Sequence, residues 1–492
     1  MAAPSRARKK HAKRSRNTLA TNRQDLQALR DWLLPDASIF ATIALHGNSK
    51  WLPANLVWMA LCWAWSDKRC VTDGFLEALT ACQQMLGVLP LSTYQGFMGA
   101  LVTWTSRLIP LVCTVLQQRM QAIGGKFWRI DGWVPIAFDG SRSTAPRTKS
   151  NEAALCAKNY GHGKTAKYRK KKSKGLRRRK NQRNPAQPQA PQAWITMLWH
   201  MGLRLPWRWR LGPSNSSERQ HVIDMVETGT FPKNTLFCGD AGFVGYPLWS
   251  SLLASGGDFL VRVGANVNLL TKQENCLLKK VGKNYEVYCW PQAKMQSGEP
   301  PLRLRLVRVV LGKTKVWMLT SVRSEEKLTI KAMVRFYKMR WGIEVEFRGL
   351  KQTLERAKLR CRTAKRLLVE LDWSVLAMAV AELFALKEQL AKRPRKSGVT
   401  GKTADPIKRS LAQTMRGLRG CLAKLGETPE PGKDLASQLR EAVTDSYERQ
   451  APKKARYRPA NPDKKPLGDP KVRRFTKEEK ECLRRAETEE TK

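Results

Sequence analysis

The sequence predicts an α/β protein of several domains, and three observations carry that expectation. Short apolar runs with strand texture, separated by polar turns, recur between residues 126 and 322. Amphipathic helical segments lie on both sides of them, from Leu26 to about Ile123 and again beyond Lys331. The length of 492 residues exceeds what one core of about 250 to 300 residues holds, so two to four domains are expected.

Taken in order, residues 1–23 contain eight Lys/Arg and no acid, the composition of a disordered basic arm. Residues 24–125 read as a helical domain built from DLQALRDWLL, WLPANLVWMALCWAW, DGFLEALTACQQML and a long segment beginning at Tyr94. Its many Trp and Met residues read as core packing. By position this domain could bind DNA ends, although it contains no legible helix-turn-helix. At Gly124-Gly125 the texture changes to β, with KFWRI, the turn Asp131-Gly132, and WVPIAF running into Asp139-Gly140-Ser141. Asp131 sits in a hairpin turn between two strand candidates. Asp139 instead ends the longer apolar run, which places it at the C-terminal end of a buried strand, where α/β sheets carry reactive groups.

Residues 143–192 read as a basic, disordered loop: 164–183 alone hold twelve Lys/Arg, more like charge than a packed core accommodates, and phosphate binding is their expected use. AWITMLWHMGLRLPWRWRLGP follows as a hairpin, ERQHVIDMVE as a helix, and TLFCG as a strand ending in Asp240. Strand, hairpin, helix, strand is the ribonuclease-H-like order, so 126–255 is read as the first part of such a core. Residues 256–322 form a β-rich insertion of FLVRVG, NYEVYCW, LRLRLVRVVLG and KVWMLTSV. Asp258 begins a strand there, which puts it at the opposite edge of the sheet from Asp139 and Asp240. Trp290 and Trp317, in or beside these strands, read as packing.

Residues 323–395 complete the core with a helix over 331–354, rich in Met, Glu, Lys, Arg and Leu, whose only weak point is Trp341-Gly342. Tyr337, Arg340, Glu344 and Lys351 succeed one another at steps of 3, 4 and 7 residues. At about 100° per residue these four share an arc of roughly 60°, and Glu346 points the opposite way. A long apolar helix follows. Residues 396–492 show helical patches around 407–425 and 434–447 and then a tail rich in Pro and charge, most of it expected to be disordered.

Ninety Lys+Arg against 41 Asp+Glu give a formal charge of +49, which makes a polyanion the expected partner and nucleic acid the first choice. The unbroken apolar runs fall short of the roughly 20 residues that span a bilayer, so no membrane segment is expected. No secretory signal is legible at the start. Eleven cysteines without a C-x-x-C pair suggest reduced thiols in a cytosol and argue against a zinc finger.

The Y-x2-R-x3-E-x6-K run of Tyr337, Arg340, Glu344 and Lys351 resembles the signature of a group of bacterial insertion-sequence transposases of the DDE type. Two further motifs are similar to that group: the strand-D-G-[ST] setting of Asp139, and D-x-G-[FY] at Asp240-Ala241-Gly242-Phe243. The resemblance covers about 133–390. It implies that Asp139, Asp240 and Glu344 are the catalytic carboxylates and hold two Mg²⁺ or Mn²⁺ ions. Tyr337, Arg340 and Lys351 would then bind the phosphate beside the scissile bond. It also implies double-stranded DNA at element ends and target as substrate, and a homodimer on paired ends. The physics is consistent: three converging carboxylates need a cation to neutralise them, and an oxygen-only set suits Mg²⁺ or Mn²⁺. The alternative in the same class is a catalytically inactive, transposase-derived DNA-binding protein. An RNA-binding protein living on basic tracts would explain the charge but not the carboxylates.

Overall fold

The computed structural model describes residues 20–44, 51–87, 89–156, 190–273, 280–391, 406–444 and 467–489. The basic stretch 164–183 and most of the N-terminal arm lie outside the described residues.

Four helices come first. In α1 (Asn22–Leu33) Thr21 and Gln24 form a reciprocal capping box, which satisfies two otherwise orphaned N–H groups. Pro53 opens α2 (Pro53–Trp65), where its missing N–H costs nothing. After α3 (Val71–Leu86), α4 (Tyr94–Gly124) buries Phe97, Leu101, Leu108, Val112, Leu116 and Met120 along one side. The stretch Tyr94–Phe127 is long and apolar enough by length and composition to cross a bilayer. Counting only unbroken apolar runs misses it, because its Gly, Thr and Ser residues interrupt a run while costing little hydropathy.

KFWRI is not a strand. Gly125–Phe127 is a 3₁₀ turn continuing from α4, and only Ile130 makes a β-bridge, to Trp133. Between those two, Asp131 (φ 49°) and Gly132 (φ 83°) form a tight turn with both residues left-handed, the backbone that favours Asp-Gly.

Ten strands form one sheet: β1 (Val134–Thr144), β2 (Gln192–His200), β3 (Leu205–Gly212), β4 (Thr235–Gly239), β5 (Asp258–Val263), β6 (Asn268–Thr271), β7 (Asn284–Cys289), β8 (Leu302–Leu311), β9 (Thr314–Thr320) and β10 (Lys471–Arg474). Their spatial order is β10-β6-β7-β8-β9-β5-β4-β1-β2-β3. The three central strands β1, β4 and β5 are parallel neighbours, and β2 and β3 extend that side antiparallel. The apolar runs VPIAF and TLFCG are fully buried, as strands covered on both faces must be. Strands from 256–322 do not form a separate layer: β9 pairs antiparallel with β5 and carries the sheet onward. Two sequence expectations need correction. β1 reaches Thr144 and a helix, α5 (Lys149–Leu155), follows behind a Thr148 cap, so the beginning of 143–192 is regular structure. Within the charged tail, 471–474 join the sheet as β10, followed by a helix over 477–489.

The remaining helices are α6 (Glu218–Glu227), α7 (Tyr246–Ala254), α8 (Gln292–Gln296), α9 (Ile330–Arg340), α10 (Gly342–Gln352), α11 (Ala364–Leu390), α12 (Leu411–Ala423), α13 (Leu435–Glu441) and α14 (Lys477–Glu489). The helix expected over 331–354 is thus two, meeting at Trp341, whose N–H turns to Lys338 O in a tighter 3₁₀ bond. Helix α11 is buried on nearly every side and packs against α2, α4, α12, α13 and β3. One continuous hydrophobic core therefore takes in the first four helices, the sheet and α11. A smaller cluster of Leu270, Tyr288, Trp290, Phe475 and Leu483 fastens β10 and α14 to β6 and β7. Every cysteine among the described residues is free.

Candidate active site

The parallel register between β1 and β4 aligns Ala137 with Cys238. Two residues further along come Asp139 and Asp240: Asp240 follows the end of β4, whereas Asp139 does not end its strand as expected but lies in the middle of β1, paired with Met197 of β2, because β1 runs on to Thr144 against β2. Each carboxylate is oriented by its own backbone: Gly140 N–H donates to Asp139 Oδ1 at 2.8 Å, and Gly242 N–H to Asp240 Oδ1 at 2.7 Å.

Glu344 arrives from the first turn of α10, which packs on β1. Between it and the strand stands Arg340, with Nη1 3.4 Å from Asp139 Oδ2 and Nη2 3.3 Å from Glu344 Oε1. Its guanidinium carbon lies 5.5 Å from the centre of the Tyr337 ring. Arg340 is buried, and its Nε, also buried, has no partner. The residue expected to meet phosphate is turned inward instead, because two carboxylates compete for its fork. Burial pushes Asp139 up to about 6; the Gly140 N–H and Arg340 oppose that shift, and the charges of Asp240 and Glu344 add to it.

Lys351 stands apart from these contacts, two turns further along α10. Burial and the neighbouring cation Arg142 hold its ammonium below its ordinary range. Arg142, near the end of β1, lies over the ring of Trp194 of β2 with its guanidinium carbon 4.1 Å from the ring centre. Tyr337, Arg340 and Glu344 are thus brought together as their spacing implied, whereas Lys351 meets Arg142, which no motif in the sequence marks. Glu218, at the start of α6, is a second unmarked residue, and its side chain covers Gly140. Its only local signal is an acid behind a Ser cap.

Asp131 and Asp258 lie elsewhere, lining a cleft of about 1070 Å³ together with Arg303, Arg305 and Lys327. Asp131 pairs with Arg335 at 3.0 Å, and Asp258 accepts from Ser321 Oγ at 2.7 Å. Trp290 and Trp317 are buried, their indole N–H groups donating to Glu299 O and Asp469 Oδ1.

Among the described residues no three His, Cys, Asp or Glu side chains close into a ligand cage by themselves. The charge at the centre of the carboxylates is supplied by Arg340. The donor set is nonetheless that of a hard divalent cation: carboxylate oxygens only, two of them fixed by backbone N–H groups.

Residues 194–380 match the transposase DDE domain family. The matched stretch opens in β2 and closes in α11, so it contains Asp240, Tyr337, Arg340, Glu344 and Lys351, while β1 and Asp139 precede it. No curated protein matches the sequence. Among solved structures, a piggyBac transposase synaptic complex with hairpin DNA is similar at a TM-score of 0.39, with 11% identity over 86% of each chain.

Proposed function

We propose that this chain is a DDE transposase that cleaves DNA at the ends of a mobile element and joins the freed 3′-ends to target DNA. The observation that carries the reading is the placement of Asp139 and Asp240 at matching positions along the parallel pair β1 and β4, with Glu344 from a helix joined to Asp139 through the buried Arg340. The transposase DDE match over 194–380 supports it. So does the strand order β3-β2-β1-β4-β5, which suits a ribonuclease-H-like core.

Asp139, Asp240 and Glu344 would hold two Mg²⁺ or Mn²⁺ ions, which when bound activate the attacking oxygen and stabilise the leaving one in an in-line phosphoryl transfer. The glycine N–H groups fix one oxygen of each Asp and so aim the other. Arg340 keeps Asp139 and Glu344 at a set separation, and Tyr337 backs its guanidinium. Lys351 and Arg142, like charges held together beside the site, suit a DNA phosphate. The charge of +49 supplies sequence-independent affinity for duplex DNA. A bacterial insertion sequence as the source, a nucleoid location and a homodimer on paired ends belong to the same reading.

The test uses DNA flanking the gene as substrate with Mn²⁺. Asp139→Asn, Asp240→Asn and Glu344→Gln should each abolish cleavage while retaining most DNA affinity, since affinity rests on Lys/Arg contacts to phosphate. Appreciable cleavage by the Glu344→Gln protein would overturn the assignment.

A further inference from the structure

The cleft of about 1070 Å³ lies at the other end of the parallel strands from the proposed site of cleavage. Asp131 and Asn234 on its wall precede β1 and β4, and Asp258 opens β5. Asp240 follows the far end of β4, roughly 20 Å from Asn234 at the rise of an extended strand. The volume is that of a site for a small organic ligand.

Arg305 of β8 lines this cleft and is 4% exposed. Its Nη2 donates to Leu328 O, whereas Nε and Nη1 are buried and have no hydrogen-bond partner among the described residues. Strand pairing sets Glu286 of β7 directly across from Arg305, where an opposite charge is the natural complement. That carboxylate is drawn away: its Oε1 accepts from Arg303 Nε and, at 2.7 Å, from the Tyr288 hydroxyl. On the other flank Thr320 of β9 turns its hydroxyl to Phe259 O at 2.6 Å. Burial works against the charge of Arg305, and the nearby charge of Glu325 only partly opposes this.

A buried guanidinium left without a counter-charge is costly, and its fork matches the oxygens of a phosphate or a carboxylate. Arg323 and Lys327 stand exposed on the same wall, so a ligand with several anionic oxygens gains from all three cations. That favours phosphate. Asp258 and the exposed Glu326 carry the opposite sign on this wall, which suits a single phosphate on Arg305 and not a run of them.

We propose that this cleft is a second ligand site, in which Arg305 pairs with one phosphate group, carried by a nucleotide or by a nucleic-acid strand. The site goes beyond the cleavage reaction proposed above and does not depend on it.

The experiment uses the full chain at fixed ionic strength, with deoxyadenosine monophosphate and a short single-stranded oligonucleotide as probes, each followed by titration calorimetry and thermal unfolding. Only the response that depends on Arg305 counts, since a chain of charge +49 attracts any polyanion. Arg305→Met should weaken binding of the probe that fills the cleft by about tenfold or more, the loss of a hydrogen bond between charged groups. Without a probe the same variant should melt close to the unaltered protein, because the charge it removes is unpaired. Arg305→Lys keeps the charge without the fork and should fall between the two. If Arg305→Met does not fold, Arg305→Lys carries the test together with Lys327→Met, which should also weaken the probe. Asp139→Asn should bind both probes as the unaltered protein does, so failure of the cleavage reading leaves this result legible. An Arg305-dependent response to deoxyadenosine monophosphate identifies a nucleotide site, and one confined to the oligonucleotide identifies a passing strand. Equal affinity of the Arg305 variants and the unaltered protein for both probes overturns the proposal and leaves Arg305 a structural tie to Leu328.

Discussion

Gly342 sets how closely the helix carrying Glu344 approaches the sheet. A Cβ there would sit 2.3 Å from the Trp199 ring and 3.0 Å from Arg204 Nη2. The ring has little room to yield, because its Nε1 donates to Glu346 Oε2 at 3.3 Å. Gly342→Ala should therefore cost about 1 to 3 kcal/mol, the usual penalty of overpacking, in chemical denaturation, and should slow cleavage by displacing Glu344. Helix propensity marks the same glycine as a weak point, since propensity describes backbone freedom and not an indole 143 positions earlier in the chain. On the inner side of α10, Glu346 is buried. Burial and the adjacent Glu382 push its carboxyl well above the ordinary range, against Arg409. A pKa raised by folding contributes stability that is complete below the unfolded value and is lost as pH rises through the folded one. Glu346→Gln, neutral throughout, should match the unaltered protein below the ordinary glutamate pKa, at about pH 4, and exceed it increasingly as pH rises above that. Melting temperatures from about pH 4 to about pH 9 check this. The residue pattern alone places Tyr337, Arg340 and Glu344 on one face and Glu346 opposite. It cannot place Glu218 over Gly140, because no periodicity links residues on separate elements.

Among elements, α11 ties the molecule together. Its Glu370 is fully buried and accepts from the backbone N–H groups of Arg360 and Cys361, each at 2.9 Å, and from Arg360 Nε at 2.9 Å. Arg356, buried beside it, donates to Ser374 Oγ at 2.8 Å and to Ala64 O of α2 at 3.4 Å. This network fixes the segment leaving α10 against a helix of the N-terminal region. Glu370→Ala would leave a buried guanidinium without its charge partner, and should lower stability by about 3 to 5 kcal/mol in urea or thermal unfolding. Helices and most strands are legible because each carries its own period and its own caps: Thr21, Thr93, Ser217 and Thr329 all accept from the N–H three residues on. KFWRI misleads because aromatic and β-branched residues suit a half-buried surface of either kind. The tail misleads for the opposite reason, since β10 and α14 need only Phe475 and Leu483 to hold them and leave the rest of their surface charged.

At the scale of the whole molecule, the excess of cations over anions exceeds what folding requires and points outward, to a polyanion. Deleting 164–183 should lower affinity for all duplex DNA about equally, because neutralising phosphates with twelve Lys/Arg contributes counterion release whatever the base sequence. For every phosphate that the shortened chain leaves unneutralised, the slope of log K against log salt should fall by about 0.9, which a salt titration of binding measures. Domain divisions drawn from sequence do not survive as boundaries in the core: 24–125 packs on α11, and the strands of 256–322 share a sheet with β1 and β4. Strand pairing between distant segments is set by tertiary fit, which local composition does not record.

The spatial order of the sheet also differs from the order of synthesis. Nine strands are complete by Thr320, yet the edge beside β6 is filled only when Lys471–Arg474 are translated. A nascent chain on the ribosome therefore carries β6 as a bare edge, its N–H and C=O groups unpaired, throughout translation of the intervening helices. Ribosome pausing in that interval would lengthen the time during which two unfinished chains can pair edge to edge, and a chaperone that covers strand edges would shorten it.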